Sequence, residues 1–479
     1  MTDDVFTHRG LIEGYYGPPY RHADRLWLIE QLGAWGMNRY VYAPKDDPLH
    51  RAQWREPYDA DAMREFRELI ERGAAVGVQV GFAISPGLTI EYGARDDVRA
   101  LQDKFRAFQA LGAAFLSLAL DDVPTTLLHH ADQVRFGSLA AAHVALSHAV
   151  AEALPGATLW LVPTDYVGVA PTDYLETLGA ELDAAIEVGW TGRTVLSPTI
   201  TAAEAAQRAA TLRRRLLIWD NVPVADGPMR PMLHLGPFAG RDADLAPYVS
   251  GFILNPMEQA HASGIALHTA AAYLRAPGAY DAEVAWRAAV SELGAGAEAA
   301  FALFAAAHRF SPSLPDDRDN ELEAMFAGLR ADIESGRDAV AAVSEFQAAL
   351  AARVAAAETL RSELVDRELA AEIEPWLVSH RAESERMAAA ADLLEMLCSD
   401  VNAMQRVFAF FRLEGMLTRI APGNVASYGP RRVLYPQLGS MRDDGAAFAD
   451  DRCLFLDRCL ADDVIRFAEQ LALQRLGGR

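Results

Sequence analysis

Two adjacent carboxylates, Asp121 and Asp122, follow the apolar run Phe115–Leu120 (FLSLAL) and precede Val-Pro. Side by side, such groups cannot both ionise freely, so their pKa values are driven apart: one stays charged while the other keeps a proton to donate. That is acid–base machinery. The same pair also reads as a helix N-cap with a first-turn acid. Adjacent carboxylates do not suit the usual two-carboxylate glycosidase, whose groups face each other across the bond at about 5 Å or more. They suit a substrate-assisted variant, with one carboxyl as the acid and the other handling a nucleophile carried by the substrate. The pair alone does not choose between these readings.

Other side chains fit around it. Tyr166, in VPTDY, offers a phenol that can donate to a developing oxyanion, or a half-buried ring closing a strand end. Lys45, in YAPKDDP, and Lys104 are the only lysines among 44 Lys and Arg residues. Lys45 therefore calls for a reason, either ligand binding or pairing with Asp46 or Asp47. Trp190 and Trp219 supply flat apolar walls suited to a sugar face or an acetyl methyl, though Trp at such positions is also ordinary packing. His129 and His130 are adjacent and diverge on a helix, and neither HExxH nor a Cys/His cluster occurs, so no metal and no cofactor is expected.

Something must position these groups. Eight short apolar runs recur: Gly10–Tyr16, Arg39–Ala43, Val78–Ile84, Phe115–Leu120, Thr158–Val162, Ala185–Trp190, Leu216–Trp219 and Gly251–Leu254. Between them lie stretches such as Ala23–Gly36 and Ala62–Gly77 with apolar residues at three-to-four spacing, as in amphipathic helices. Eight βα units predict an α/β fold, a (β/α)8 TIM barrel over residues 1–280. Polar residues cluster at the end of every run: Glu13-Gly14, Lys45-Asp46-Asp47, Ser85, Asp121-Asp122, Asp165-Tyr166, Thr191, Asp220-Asn221 and Asn255. A barrel places its chemistry at those strand ends. Beyond the break Ser311–Pro315, strand signals vanish and Glu321–Glu334, Asp338–Glu363 and Arg381–Leu397 read as helices. Residues 281–479 are accordingly expected to form an all-α helical bundle, with an irregular segment over 421–451.

Composition bounds the rest. With 51% hydrophobic and 23% charged residues the chain is of ordinary globular type. A net charge of −22 without a basic run argues against nucleic-acid and membrane-surface partners. Cys398, Cys453 and Cys459 are an odd and sparse set, expected to be reduced thiols. The acidic start MTDDVFTHRG resembles no signal peptide, and no uncharged apolar run of about 20 residues stands out, so a cytoplasmic location is expected.

In order along the chain, RGLIEGYYGPPY, YAPKDDPLHRAQWREPY, GFAISPGL, LALDDVP, VPTDY, WTG, WDNVPV and NPME closely resemble glycoside hydrolase family 84, over about residues 8 to 275. The region beyond resembles that family's helical stalk. The resemblance implies a retaining exo-β-N-acetylglucosaminidase. The substrate's own 2-acetamido carbonyl would attack the anomeric carbon, and water would open the resulting oxazoline. It implies that Asp121 orients and polarises the acetamido N–H, and that Asp122 protonates the leaving oxygen and then deprotonates water. Tyr166 would hydrogen-bond the acetamido oxygen; Trp219, Thr191 and Asn221 would shape the acetyl pocket. Gly14, Lys45 and Asn255 would hold sugar hydroxyls, and Asp226 the 4- and 6-hydroxyls. The chain departs from the family pattern in four places. EGYYG stands for EGFYG, adding a hydroxyl beside the site; Asp165 replaces the usual Glu; Ala225 and Gly227 flank Asp226; and QAHASG follows NPME.

Three readings follow. The first is an O-GlcNAcase-like enzyme acting on β-linked GlcNAc of Ser/Thr or glycoconjugates. The second is a β-N-acetylglucosaminidase of glycan or cell-wall fragments with no protein substrate. The third is a non-catalytic sugar-binding scaffold, which would not need a proton donor. The Ala-rich helical faces suggest a homodimer.

Overall fold

The structure, a computed structural model, describes residues 5–312, 314–315, 317–421, 425–429, 433–435, 454–456 and 459–476. The described residues divide into two compact units. One is drawn from Met1–Gly227 and Phe238–Ala282, the other from Pro228–Pro237, Glu283–Tyr435 and Leu454–Arg479.

The first unit is a closed barrel of eight parallel strands in sequential order. They are β1 (His8–Glu13), β2 (Arg39–Tyr42), β3 (Gln79–Ile84), β4 (Phe115–Ala119), β5 (Thr158–Val162), β6 (Glu187–Trp190), β7 (Leu216–Asp220) and β8 (Val249–Leu254). The connecting helices are α1 (His22–Ala34), α2 (Ala60–Val76), α3 (Arg95–Leu111), α4 (His130–Phe136), α5 (Leu139–Ala153), α6 (Asp173–Glu181), α7 (Ala202–Leu212) and α8 (Gly264–Arg275). The strands read as continuous apolar runs because both faces are covered. Tyr42, Phe66, Phe82 and Phe108 pack ring against ring on the helix side. Ile12, Val41, Ala83, Phe115, Trp160, Leu217, Trp219 and Ile253 fill the interior.

That interior positions the site. Side chains alternate across a strand with period two. Continuing the inward row leads from Ile12 to Gly14, from Val41 through Ala43 to Lys45, and from Phe115 to Asp121. It leads likewise from Leu217 through Trp219 to Asn221, and from Ile253 to Asn255. The first run ends earlier than its composition suggests. β1 stops at Glu13, and Gly14–Tyr16 belong to the turn beyond it.

The second unit is helical: α9 (Ala282–Leu293), α10 (Glu298–Ala306), α11 (Asn320–Glu334), α12 (Val340–Glu363), α13 (Arg367–Glu372), α14 (Glu374–Cys398), α15 (Ala403–Arg419) and α16 (Leu460–Leu476). To the helices it adds a short antiparallel pair, β9 (Val433–Tyr435) with β10 (Leu454–Leu456). Most of 421–451, and Cys453, lie outside the described residues. Cys398 and Cys459 are in no disulfide. By length and hydropathy α12 alone among the described helices could cross a membrane. Its Val343, Phe346 and Leu350 belong to the unit's buried core, and its Arg353 makes a buried bidentate pair with Asp319 at 2.8 and 2.9 Å. Those are features of a core helix.

Candidate active site

The turn after β1 rests on a buried charge. Glu13 is inaccessible and accepts from Arg25 Nε and Nη2, both at 2.8 Å, from the Tyr40 hydroxyl at 2.8 Å and from the Tyr20 backbone N–H at 2.9 Å. A buried carboxylate is tolerated when its oxygens are this fully satisfied. The turn so fixed delivers Gly14, whose N–H donates to Asn255 Oδ1 at 3.2 Å. A Cβ there would lie 2.4 Å from the Trp219 ring. Only glycine lets the chain pass so close to the indole. Asn221 Oδ1 accepts from Trp219 Nε1 and from Asn255 Nδ2, each at 3.0 Å, and Asn221 Nδ2 donates to Val195 O at 2.7 Å. The Thr191 N–H donates to Tyr166 O at 3.1 Å, tying the ends of β5 and β6 together.

The two carboxylates have different surroundings. Asp121 is buried; Lys45 Nζ pairs with its Oδ2, while its Oδ1 has no hydrogen-bond partner among the described residues. Lys45 is itself buried, 5.4 Å from the centroid of the Trp219 ring. Asp122 has left-handed backbone, φ 48°. Tyr166 donates to its Oδ1 and Tyr16 to its Oδ2, both at 2.8 Å, and Arg51 Nη2 donates to its backbone carbonyl at 2.8 Å. Burial alone would raise the Asp122 pKa. The Lys45 ammonium, the two phenol hydrogen bonds and the Arg51 guanidinium outweigh it and hold the carboxyl below the ordinary aspartate range. Burial and the nearby Asp122 charge push both tyrosines up, so they remain protonated donors. Asp226 accepts the Tyr16 N–H at 2.8 Å. Burial, joined by the Asp122 and Glu258 charges, raises its pKa against that hydrogen bond.

All ten residues singled out from the sequence lie at the C-terminal ends of the barrel strands or in the loops that follow. Hydrogen bonds link Gly14, Asn255, Asn221 and Trp219 in one chain, and Asp122 to Tyr166 and, through Tyr16, to Asp226. The N-cap reading of Asp121-Asp122 falls, because the next helix begins at His130. The pairing of Lys45 with Asp47 falls too, since Asp47 instead accepts the Tyr42 and Tyr58 hydroxyls at 2.9 and 2.6 Å. Trp190 is packing: it is buried and its Nε1 donates to Gly168 O at 2.8 Å. The added hydroxyl of EGYYG does not face the site, for Tyr15 donates to Pro18 O at 2.9 Å. With the chain's own groups alone, Asp122 is held in its ionised form.

Three residues escaped the sequence reading. Tyr16 and Arg51 both grip Asp122. Lys104 pins the loop between β2 and α2, donating to the carbonyls of Leu49, Trp54 and Glu56 at 2.5, 3.0 and 2.7 Å. The scarcity of lysine was a usable signal for Lys104; nothing in the spacing of Tyr16 or Arg51 marks them.

The closed parallel barrel thus carries a paired carboxylate–lysine centre and a second carboxylate held by phenols at the strand ends, where barrels of this class place their chemistry. The model of the beta-N-acetylglucosaminidase family matches residues 9–306. The chain belongs to that family, glycoside hydrolase family 84. The protein O-GlcNAcases of Rattus norvegicus and Mus musculus are each 33% identical over 273 residues, 56% of this chain and 30% of theirs. The chain thus matches under a third of the length of these relatives. Among solved structures, a mutant of the Thermobaculum terrenum O-GlcNAc hydrolase aligns with TM-score 0.84 at 29% identity, covering 99% of this chain and 97% of its own. The protein CpGH84B aligns with TM-score 0.78 at 25% identity, covering 98% of this chain and 77% of its own.

Proposed function

We propose that the protein is a retaining exo-β-N-acetylglucosaminidase that works by substrate assistance and removes β-linked GlcNAc from Ser/Thr of proteins. The observation that carries this reading is Asp121: a buried carboxylate with one oxygen on Lys45 and the other an acceptor with no donor among the described residues. An acetamido N–H is the donor that suits it. Asp121 then makes the acetamido carbonyl oxygen a better nucleophile. That oxygen bonds to the anomeric carbon as the glycosidic C–O bond breaks and Asp122 gives its proton to the leaving oxygen. In the second step Asp122 takes a proton from water, whose oxygen attacks the same carbon, and the oxazoline ring opens with net retention. When the acetamido oxygen takes over the Tyr166 hydroxyl, Asp122 loses one of the donors that keep it ionised, which favours the protonated form the first step needs. Trp219, Thr191 and Asn221 enclose the acetyl methyl; Gly14, Lys45, Asn255 and Asp226 take the sugar hydroxyls.

The test is hydrolysis of aryl β-N-acetylglucosaminides with good and poor leaving groups. Asp122→Asn should lose far more rate on the poor leaving group, and Asp121→Asn should lose about 10²-fold or more on both. Equal losses in the two variants on both substrates would undo the assigned roles. Release of GlcNAc from an O-GlcNAc-modified peptide, compared with chitobiose, separates a protein substrate from a glycan one. The cytoplasm, where thiols stay reduced, is the compartment we propose.

The helical unit is proposed to pair with a second copy of the chain. On α15, Met404, Phe408 and Phe411 are 62, 66 and 65% exposed and fall on one face by their spacing. Beside them a cavity of about 650 Å³ opens among α12, α14 and α15, lined by Met396, Phe408, Leu413 and Met416. Sedimentation at micromolar concentration should show a dimer, and Phe408→Glu with Phe411→Glu should give a monomer.

A further inference from the structure

Arg51 sits where no proton moves, yet it touches two parts of the acid's surroundings at once. Its Nη2 donates to the Asp122 carbonyl at 2.8 Å and its Nη1 to the Tyr16 hydroxyl oxygen at 2.9 Å, with the guanidinium 5.5 Å from the Tyr16 ring centroid. A phenol has one proton to give. With its oxygen already accepting from Arg51, Tyr16 is left to donate, and Asp122 Oδ2 at 2.8 Å is what it meets. The backbone of Asp122 is in the left-handed region, disfavoured for a residue with a side chain unless its surroundings hold it there. The Arg51 bond to its carbonyl is such a hold. Tyr16 also gives its backbone N–H to Asp226, so one residue bridges the acid and the carboxylate assigned to the sugar hydroxyls.

From this geometry we propose that Arg51 and Tyr16 act together as a positioning pair for Asp122, Arg51 fixing the backbone of residue 122 and committing the Tyr16 hydroxyl to its carboxylate. The proposal rests on the reading of Asp122 as the acid. It adds that the proton affinity of this acid is set in part by a loop after β2 and a turn after β1, neither of which carries a reacting group. The charged and titratable groups facing Asp122 are Lys45 and Arg51, Asp121 and Asp226, and the phenols of Tyr16 and Tyr166. Of these, only the Arg51–Tyr16 pair acts on both the backbone and the carboxylate of residue 122.

The experiment compares wild type with Tyr16→Phe and Arg51→Met. Tyr16 is 38% exposed and Arg51 half-buried, and circular dichroism verifies that both variants fold. Two quantities are read. One is the titration of the Asp122 carboxyl by ¹³C NMR in the protein without substrate, its signal assigned by loss in Asp122→Asn. The other is the alkaline limb of kcat/KM on an aryl β-N-acetylglucosaminide, which reports the free enzyme's acid. Each substitution removes a group that favours the carboxylate, so both readouts should move to higher pH, by about half a unit or more. A role confined to packing would change kcat or stability and move neither. Unshifted titrations in two folded variants overturn the proposal. If the carboxyl titration shifts while wild type hydrolyses no aryl glycoside, the positioning pair stands and the hydrolase reading falls.

Discussion

Gly14 has no room for a methyl group. The Cβ of Gly14→Ala would come within 2.4 Å of the Trp219 ring, and either the indole or the turn must shift. Either movement displaces the wall assigned to the acetyl group. We expect Gly14→Ala to fold with a loss of about 1–3 kcal/mol in unfolding free energy, typical of overpacking. kcat/KM should fall about 10²-fold, because a displacement near 1 Å is enough for that. Urea titration and steady-state kinetics on one preparation check both numbers, and wild-type kinetics in this variant would show that Trp219 does not bound the substrate. At this scale the sequence was legible where a residue type is rare or paired: Asp121-Asp122 announce themselves, and so does Lys45. Tyr16 and Arg51 did not, since a turn has no periodicity and their partner lies 106 and 71 positions away.

Among the elements, the loop between β2 and α2 carries both Lys45 and Arg51, and Lys104 on α3 holds it by three carbonyls. Lys104→Met removes three charge-assisted bonds and leaves buried acceptors behind. It should cost about 2 kcal/mol or more of stability and loosen the loop enough to raise KM. Thermal melts and KM measured together test this; a melting point unchanged within a degree would show that the loop stands without its anchor. In the helical unit, Asp319 both caps α11 through the Leu322 N–H and pairs with Arg353 inside the core. Arg353→Leu strands that carboxylate and should destabilise by about 3–5 kcal/mol, whereas joint replacement of Arg353 and Asp319 by apolar residues should recover most of the loss. Denaturant midpoints of the single and double variants decide. All eight strands could be read from sequence because buried parallel strands are short apolar runs with polar ends. Boundaries were less legible. Pro375 lies in the first turn of α14, where proline starts a helix, so α14 begins at Glu374 and not at Arg381.

For the molecule as a whole, four imidazoles are folded in neutral. Burial lowers the pKa of His50, with help from Lys45, and of His143 to about 3 each, and that of His308 to about 4. Burial, then the neighbouring His308 and Arg353, holds His380 well below the usual value. Each unfolded imidazole titrates near 6.5, so between that pH and its folded pKa the unfolded chain binds more protons, and stability rises with pH. This contribution is complete above about pH 6.5 and is lost progressively as pH falls toward 4 and 3. The urea midpoint should therefore decline across that window. The ring signals of these four among the 12 histidines should stay neutral in NMR spectra from pH 7.5 to 5. Any of the four titrating near 6.5 would mean that its ring is not enclosed as described. None of this was visible from the sequence, because a histidine's burial depends on distant elements.

Both lysines lie inside the barrel unit, Lys45 against Asp121 and Lys104 under its loop, each about 5% exposed. The exposed positive charge is therefore guanidinium, and no side-chain amine is open to solvent. Acylating dyes, aldehyde fixatives and amine-coupled surfaces will find no open side-chain amine, and slow reaction at Lys45 will report on its pair with Asp121. For a catalyst to be immobilised or labelled, arginine-directed chemistry is the practical choice, and for mapping the pair with Asp121 the Lys45 amine is a ready-made selective handle.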